Sequence, residues 1–149
     1  MKKLKPITVG IWGIGRAGWN MHCAELDALP EYFRPVAACD LDPERLREFA
    51  VRYPGSRTYA DGEAFLTDDA VELVTIAVRS QEHVDYARRA LAAGKIVFLE
   101  KPIALAAADL ERLAGFEGRL FFRHNRRFEA CFNHIREIIA SGILGEVYE

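Results

Sequence analysis

A chain of 149 residues, half of them apolar, is long enough to bury a real core and too apolar to remain disordered. Its 20 Lys and Arg against 22 Asp and Glu leave a formal charge of −2, which gives no basic footprint for nucleic acid. No apolar run approaches the roughly 20 residues of a membrane span. The three cysteines Cys23, Cys39 and Cys131 have no metal-ligand spacing and suit a reducing cytoplasm.

The basic start Met1-Lys2-Lys3-Leu4-Lys5 leads into a stretch broken by Gly10 and Gly13 and ended by Arg16, so no export signal is expected. Residues 7–12 read as a first strand. Ala17, Met21, Ala24 and Ala28 then recur at helical spacing until Pro30 stops the pattern. Residues 35–39 read as a second strand ending at Asp40. Asp42-Pro43-Glu44 supplies a cap, a first helical position and an acidic first turn, with Leu46, Phe49 and Ala50 as the buried stripe. Residues 57–59 form a short strand and 61–66 a short helix. Residues 71–78 form a buried, β-branched strand. Ser80 is placed to cap the next helix, in which Val84, Ala87 and Leu91 face inward and Gly94 marks the end. Residues 96–99 are a fifth strand, 105–116 an Ala-rich helix and 119–122 a sixth strand. Phe128, Cys131, Phe132, Ile135, Ile138 and Ile139 then trace an amphipathic helix closed by Ser141-Gly142.

Strands alternating with helices at this spacing predict right-handed crossovers and a doubly wound parallel sheet of the α/β class. Ligands of such sheets sit at the carboxyl ends of the strands, where the strand order reverses. The residues just after each apolar run are therefore the informative ones.

After the first run comes Gly13-Ile14-Gly15-Arg16-Ala17-Gly18. A strand before it, a helix after it and an acid beyond the next strand give the glycines the setting of a dinucleotide loop. In that reading Gly13 permits the tight turn, Gly15 lets the pyrophosphate approach the backbone, and Gly18 lets the helix pack close to the sheet. The helix start then offers free N–H groups and a positive dipole end to phosphate. Asp40, 22 residues after Gly18, is placed to accept hydrogen bonds from both ribose hydroxyls. Its charge would repel a 2′-phosphate, which favours NAD over NADP; Arg45 and Arg47 are the nearby cations. Polar clusters follow three later strands: Arg79-Ser80-Gln81-Glu82-His83, Glu100-Lys101-Pro102 and His124-Asn125-Arg126-Arg127-Phe128. A lysine over the sheet can act as acid or base if burial adjusts it, whereas a surface Glu100–Lys101 pair is the simpler alternative. His83 is expected to pack within its helix rather than to transfer protons.

The chain resembles the N-terminal domain of the Gfo/Idh/MocA oxidoreductase family over essentially its whole length. The resemblance rests on "GIWGIGRAG", Asp40, "EHVDYARRALAAGKIVFLEKPIAL", "RHNRRF" and "SGILGEVYE". Glu100-Lys101-Pro102 is its specific part, and the glycine loop its generic one. It implies a Rossmann fold and an NAD(P)-dependent dehydrogenase that oxidises or reduces hydroxyl and carbonyl groups on sugars, inositols or related polyols. It also implies that Lys101 assists proton transfer and that Glu100 lines the nicotinamide end. Val78 and Arg79 take cofactor-facing places in a turn that departs from the family's usual Thr-Pro-Asn. The 104–118 segment is shorter than the family's usual helix. Residues 1–141 would then be the dinucleotide-binding domain, and 142–149 the start of a second, substrate-holding domain that these residues lack. The resemblance further implies a small-molecule substrate and a homo-oligomer for the whole enzyme, without nucleic acid or membrane partners. The alternative is a non-catalytic NAD(P)-binding sensor or regulatory module, which would not need Lys101.

Overall fold

Residues 5–148 are described by a computed structural model; the basic start through Leu4 and the closing Glu149 lie outside the described residues. Along β1 (Ile7–Trp12) the side chains alternate between two buried layers. Val9 and Ile11 join Cys23, Leu26, Ala38 and Phe49 on one face. Trp12 joins Phe65, Val74, Ile76, Ala87 and Leu91 on the other. A strand buried on both faces belongs at the centre of a helix-covered parallel sheet. Gly10 lies on the Trp12 side, where a Cβ would sit 2.7 Å from the Phe65 ring. Only glycine lets that ring lie across β1.

The remaining strands are β2 (Phe33–Cys39), β3 (Arg57–Tyr59), β4 (Leu73–Ile76), β5 (Ile96–Leu99) and β6 (Leu120–Phe122). Every neighbouring pair is parallel, in the order β3-β2-β1-β4-β5-β6. The order reverses between β1 and β4, which opens the crevice that a Rossmann sheet offers a dinucleotide. The doubly wound parallel sheet expected from the alternation is the one the chain forms.

The first helix starts at Arg16, passes through a π-helical turn at Gly18–Cys23 and ends as α1 (Ala24–Ala28). It is followed by α2 (Pro43–Arg52), α3 (Gly62–Leu66), α4 (His83–Ala92), α5 (Ala107–Glu111) and α6 (Ala130–Ser141). Asp42 caps α2 by accepting the Glu44 N–H at 2.9 Å, with Pro43 at the first helical position. Asp61 caps α3 through the Ala64 N–H at 2.8 Å. No helix among the described residues is long and apolar enough to cross a membrane.

Several expectations are corrected. The first helix buries Gly18, His22, Cys23 and Leu26, whereas Ala24 and Ala28 are exposed and Ala17 and Met21 half-buried. A π-turn takes an extra residue, so the face beyond it is rotated from the one an unbroken α-helix would bury. On α2, Phe49 is buried and Leu46 half-buried, but Ala50 is exposed. β4 is confined to Leu73–Ile76, within the 71–78 run. Ser80 caps nothing; it lies in a short 3₁₀ turn (Ser80–Glu82) held by the Arg79 N–H donating to Glu82 Oε2 at 3.3 Å. α4 then buries Val84, Ala87 and Leu91 as expected. The Ala-rich segment is helical only as the five residues of α5, because Gly115 and Gly118 turn the chain at φ +84° and +83°. α6 forms over Ala130–Ser141, while Phe128, the first residue of the expected stripe, lies in a separate 3₁₀ turn (Asn125–Phe128); α6 buries none of its residues. Phe128, Ile135 and Ile139 remain exposed and Ile138 half-buried, since no other helix or strand covers that face among the described residues. Residues 142–148 follow it without strand pairing.

Candidate cofactor site

The glycine loop sits at the switch point, and its three glycines answer to different neighbours. A Cβ on Gly13, whose φ is +92°, would lie 2.8 Å from the Ala77 carbonyl oxygen. A Cβ on Gly18 would lie 2.0 Å from the Gly13 carbonyl oxygen. Both positions are glycine because the protein's own backbone fills the space. At Gly15 a Cβ would meet only Arg45 Nη1, at 3.9 Å. That space is open, and it faces the start of a helix that no side chain caps. The first N–H groups of such a helix point outward unpaired and carry the positive dipole end. Ile14 is buried against the core, Ala17 is half-buried and Arg16 is exposed beside the opening. These residues fit a pyrophosphate.

Asp40 stands one residue beyond β2. Its Oδ2 accepts the Ile14 N–H at 2.6 Å, and its Oδ1 accepts the Asp42 N–H at 2.9 Å. Arg45 Nη1 approaches Oδ1 at 3.5 Å; the Arg45 side chain is 47% exposed and that of Asp40 only 9%. The carboxylate thus holds the glycine loop in shape. An ionised carboxylate offers about four lone-pair sites, so acceptor capacity remains beside the opening.

The other strand ends converge through backbone contacts. His83 is buried, with Nδ1 at 2.6 Å from the Pro102 carbonyl and Nε2 at 3.2 Å from the Val78 carbonyl. It joins the half-buried Val78 turn to the Lys101-Pro102 segment, as a packing residue would. Arg79 is exposed on that turn. Glu100 does not pair with Lys101 at the surface. It is buried, with Oε1 at 3.1 Å from His22 Nε2 and 3.5 Å from Arg123 Nε, while Oε2 accepts the Lys101 N–H at 3.2 Å. Lys101 itself is exposed, and no carboxylate pairs with its ammonium among the described residues.

A family model described as "Oxidoreductase family, NAD-binding Rossmann fold" (GFO_IDH_MocA) matches residues 7–119. The chain belongs to the Gfo/Idh/MocA oxidoreductase family. It is 32% identical over 146 residues to inositol 2-dehydrogenase of Acidothermus cellulolyticus, covering 95% of this chain and 42% of that protein. It is 31% identical over 150 residues to scyllo-inositol 2-dehydrogenase (NADP(+)) of Bacillus subtilis, covering 98% of this chain and 41% of that protein. Its fold superposes with a TM-score of 0.84 and 25% identity on scyllo-inositol dehydrogenase from Lactobacillus casei with bound NAD(H) and scyllo-inositol, over 95% of this chain and 43% of that one. The chain therefore spans about two fifths of the length of these relatives and forms the family's NAD-binding Rossmann domain.

In this Gfo/Idh/MocA domain the glycine loop, Asp40 and the Val78 turn gather around the switch point, while the Glu100-Lys101-Pro102 end lies over the neighbouring β5. Arg126, by contrast, pairs with Glu129 at 3.1 Å, and Arg127 is exposed beside it. Phe121, Phe128, Phe132 and Arg136 line an open groove of about 780 Å³ between β6 and α6, separate from the glycine loop. Sequence reasoning missed three residues. Arg123 directly follows the β6 apolar run, so the rule applied to other strand ends would have found it. His22 carried no signal beyond being a polar residue four positions after Gly18. Lys95 was also missed. It is buried, and its Nζ donates to the Asp68 and Val71 carbonyls at 2.8 and 2.9 Å, pinning the entry to β4.

Burial raises the Glu100 carboxyl, but His22, Arg123 and the Lys101 N–H outweigh it and leave it below its ordinary value of 4.5. Glu72 is also lowered from 4.5, because its Oε2 takes both the Thr8 N–H at 2.8 Å and the Thr8 hydroxyl at 2.7 Å. Each group binds fewer protons folded than unfolded between its two pKa values. The stability it contributes is complete above about pH 4.5 and is lost as the pH falls through the folded value. Urea unfolding at a series of pH values should show this acid loss, and Glu72→Gln should make the slope below about pH 4.5 shallower.

Proposed function

We propose that this domain binds NAD for a dehydrogenase that acts on a hydroxyl of an inositol, sugar or related polyol, in the cytoplasm. The observation that carries the cofactor reading is the open space at Gly15, between two glycines whose own space is filled by backbone. The Gly15, Arg16 and Ala17 N–H groups would receive the pyrophosphate, and Asp40 the adenosine ribose hydroxyls. Val78 and Arg79 would border the path to the nicotinamide, and Glu100 and Lys101 its far end. The nicotinamide ring, when bound, takes or gives the hydride. Lys101 is exposed at the end of β5, where its amine can accept the substrate hydroxyl proton as that carbon loses its hydride, and return it in reduction. A lysine at that place, just past the end of β5, favours an enzyme over a binding-only sensor. The relatives named inositol dehydrogenases support the polyol class. The remaining substrate contacts and a homo-oligomer interface would come from polypeptide comparable to the other three fifths of those relatives. Residues 142–149 would lead toward it.

Cofactor choice is the direct test. A 2′-phosphate about 4 Å from Asp40 meets roughly 4 kcal/mol of repulsion at an effective dielectric near 20. Arg45 offers an opposing attraction, but its side chain is 47% exposed and so more screened than Asp40 at 9%. NADH should therefore bind about tenfold tighter than NADPH, a net difference near 1.4 kcal/mol. Arg45→Ala should widen the ratio. Fluorescence or calorimetric titration of both cofactors decides it, and NADPH binding equally well would remove Asp40 from the ribose site.

A further inference from the structure

Three ionisable side chains are buried together beneath the Lys101 segment: His22 at 2% exposed, Glu100 at 5% and Arg123 at 7%. They come from the π-helical turn, the end of β5 and the end of β6. Burying such groups is costly unless they are paired, and apolar side chains would pack the same elements at less cost. Here one carboxylate joins three elements. Glu100 Oε1 meets His22 Nε2 at 3.1 Å and Arg123 Nε at 3.5 Å, and Oε2 takes the Lys101 N–H at 3.2 Å. Arg123 also pairs with Glu25 of α1. Neither His22 Nε2 nor Glu100 Oε1 makes a hydrogen bond among the described residues; the two atoms meet in close contact at 3.1 Å. The Phe98 ring meets the imidazole edge-on at a centroid distance of 5.9 Å and fences it on the β5 side.

The helix that carries His22 and Glu25 is the one whose first turn opens at the glycine loop. Its π-turn, Gly18–Cys23, lies between that opening and Glu25. The extra residue in the turn sets the rotation that aims His22 at Glu100. A continuous path of contacts therefore runs from the glycine-loop end of the helix, through His22 and Glu25, to Glu100, Arg123 and the backbone of Lys101.

We propose that His22 is a positioning residue: with Arg123 it clamps Glu100, and the clamp makes the Lys101 segment respond to a dinucleotide at the glycine loop. The proposal rests on the cofactor reading above. A phosphate on the helix start holds that helix more firmly against the sheet. The clamp passes this restraint to the Lys101 N–H, and the proton-transfer amine is then presented from an ordered backbone only when cofactor is in place.

Amide hydrogen exchange at Lys101, resolved by NMR on the 149-residue chain, tests this with and without saturating NADH. In the wild type, NADH should slow Lys101 exchange severalfold. In His22→Gln, Lys101 should exchange about ten- to a hundredfold faster without cofactor, the range expected when a hydrogen bond to a charged acceptor is loosened. NADH should still bind that variant within about threefold of the wild type, because the glycine loop is intact, but the slowing should disappear. Glu100→Gln keeps an oxygen for the Lys101 N–H while weakening the His22 and Arg123 contacts. It should retain part of the free-state protection, lose the NADH response, and stand in if His22→Gln does not fold. Wild-type protection and NADH response in either folded variant would overturn the clamp, as would a wild type that binds NADH without slowing at Lys101. A wild type that binds no NADH would overturn the cofactor reading instead, and the clamp would then be judged on free-state exchange alone.

Discussion

Gly15→Val should yield a folded protein that no longer binds NADH. The valine Cβ enters a space bordered only by Arg45 Nη1 at 3.9 Å, so the fold has little to resist. The two γ-carbons, however, occupy the route by which a pyrophosphate would reach the helix N–H groups. Losing two or three charge-assisted hydrogen bonds, at about 1.5–3 kcal/mol each, weakens binding by at least about a hundredfold. The thermal midpoint should move by only a few degrees, as for an exposed-site change of under about 1 kcal/mol. Gly18→Ala provides the contrast. Its Cβ would fall 2.0 Å from the Gly13 carbonyl oxygen, so the loop or the helix must shift. Stability should then drop by several kcal/mol, beyond the roughly 1–3 kcal/mol of ordinary overpacking, because the obstacle is backbone. Thermal melts and NADH titration on the two variants separate a ligand-shaped gap from a packing gap. Retained NADH binding in Gly15→Val would reduce the loop to a turn.

Lys101→Met, placed in a catalytically competent chain that carries this domain, should lower turnover by about 10²- to 10⁴-fold, the usual range for a lost general acid–base. NAD affinity should stay within about threefold, because the side chain acts on substrate rather than on the pyrophosphate or adenosine. The exposed position of Lys101 makes the substitution structurally mild. Single-turnover nicotinamide absorbance and cofactor titration on the same protein distinguish the two effects. Equal losses in rate and affinity would assign Lys101 to cofactor binding instead of chemistry.

The sheet was legible because buried parallel strands read as short apolar runs, and β1 and β5 fall where those runs do; β3, the exposed edge Arg57–Tyr59, is not such a run. The glycine loop was legible for a similar reason, since its spacing answers to backbone geometry that only glycine permits. The helices were harder. Ala17, Met21, Ala24 and Ala28 form a period in sequence, but a π-turn has no composition signature, and it moved burial to Gly18, His22, Cys23 and Leu26. The α6 stripe was read correctly as amphipathic, yet periodicity says nothing about what covers an apolar face. Glu100 shows another limit. Its place after β5 marked it as informative, but whether it faced Lys101 or the interior depended on His22 and Arg123. Those residues are 78 positions before it and 23 after it, a tertiary contact that no local pattern encodes.

Asp40 ties the loop from beneath through Ile14 while standing where the ribose would lie. On the proposed reading, one carboxylate would therefore serve both loop order and cofactor preference. An evolutionary or engineered switch toward NADP cannot simply delete that charge. Asp40→Ala would relieve the 2′-phosphate, but it would also release the Ile14 N–H and let the loop fluctuate, so both cofactors would bind more weakly even as their ratio changed. The accessible route keeps an acceptor for Ile14 and adds cation strength around Arg45, which means at least two coordinated substitutions. The proposed cofactor preference would thus be held in place by epistasis as much as by charge.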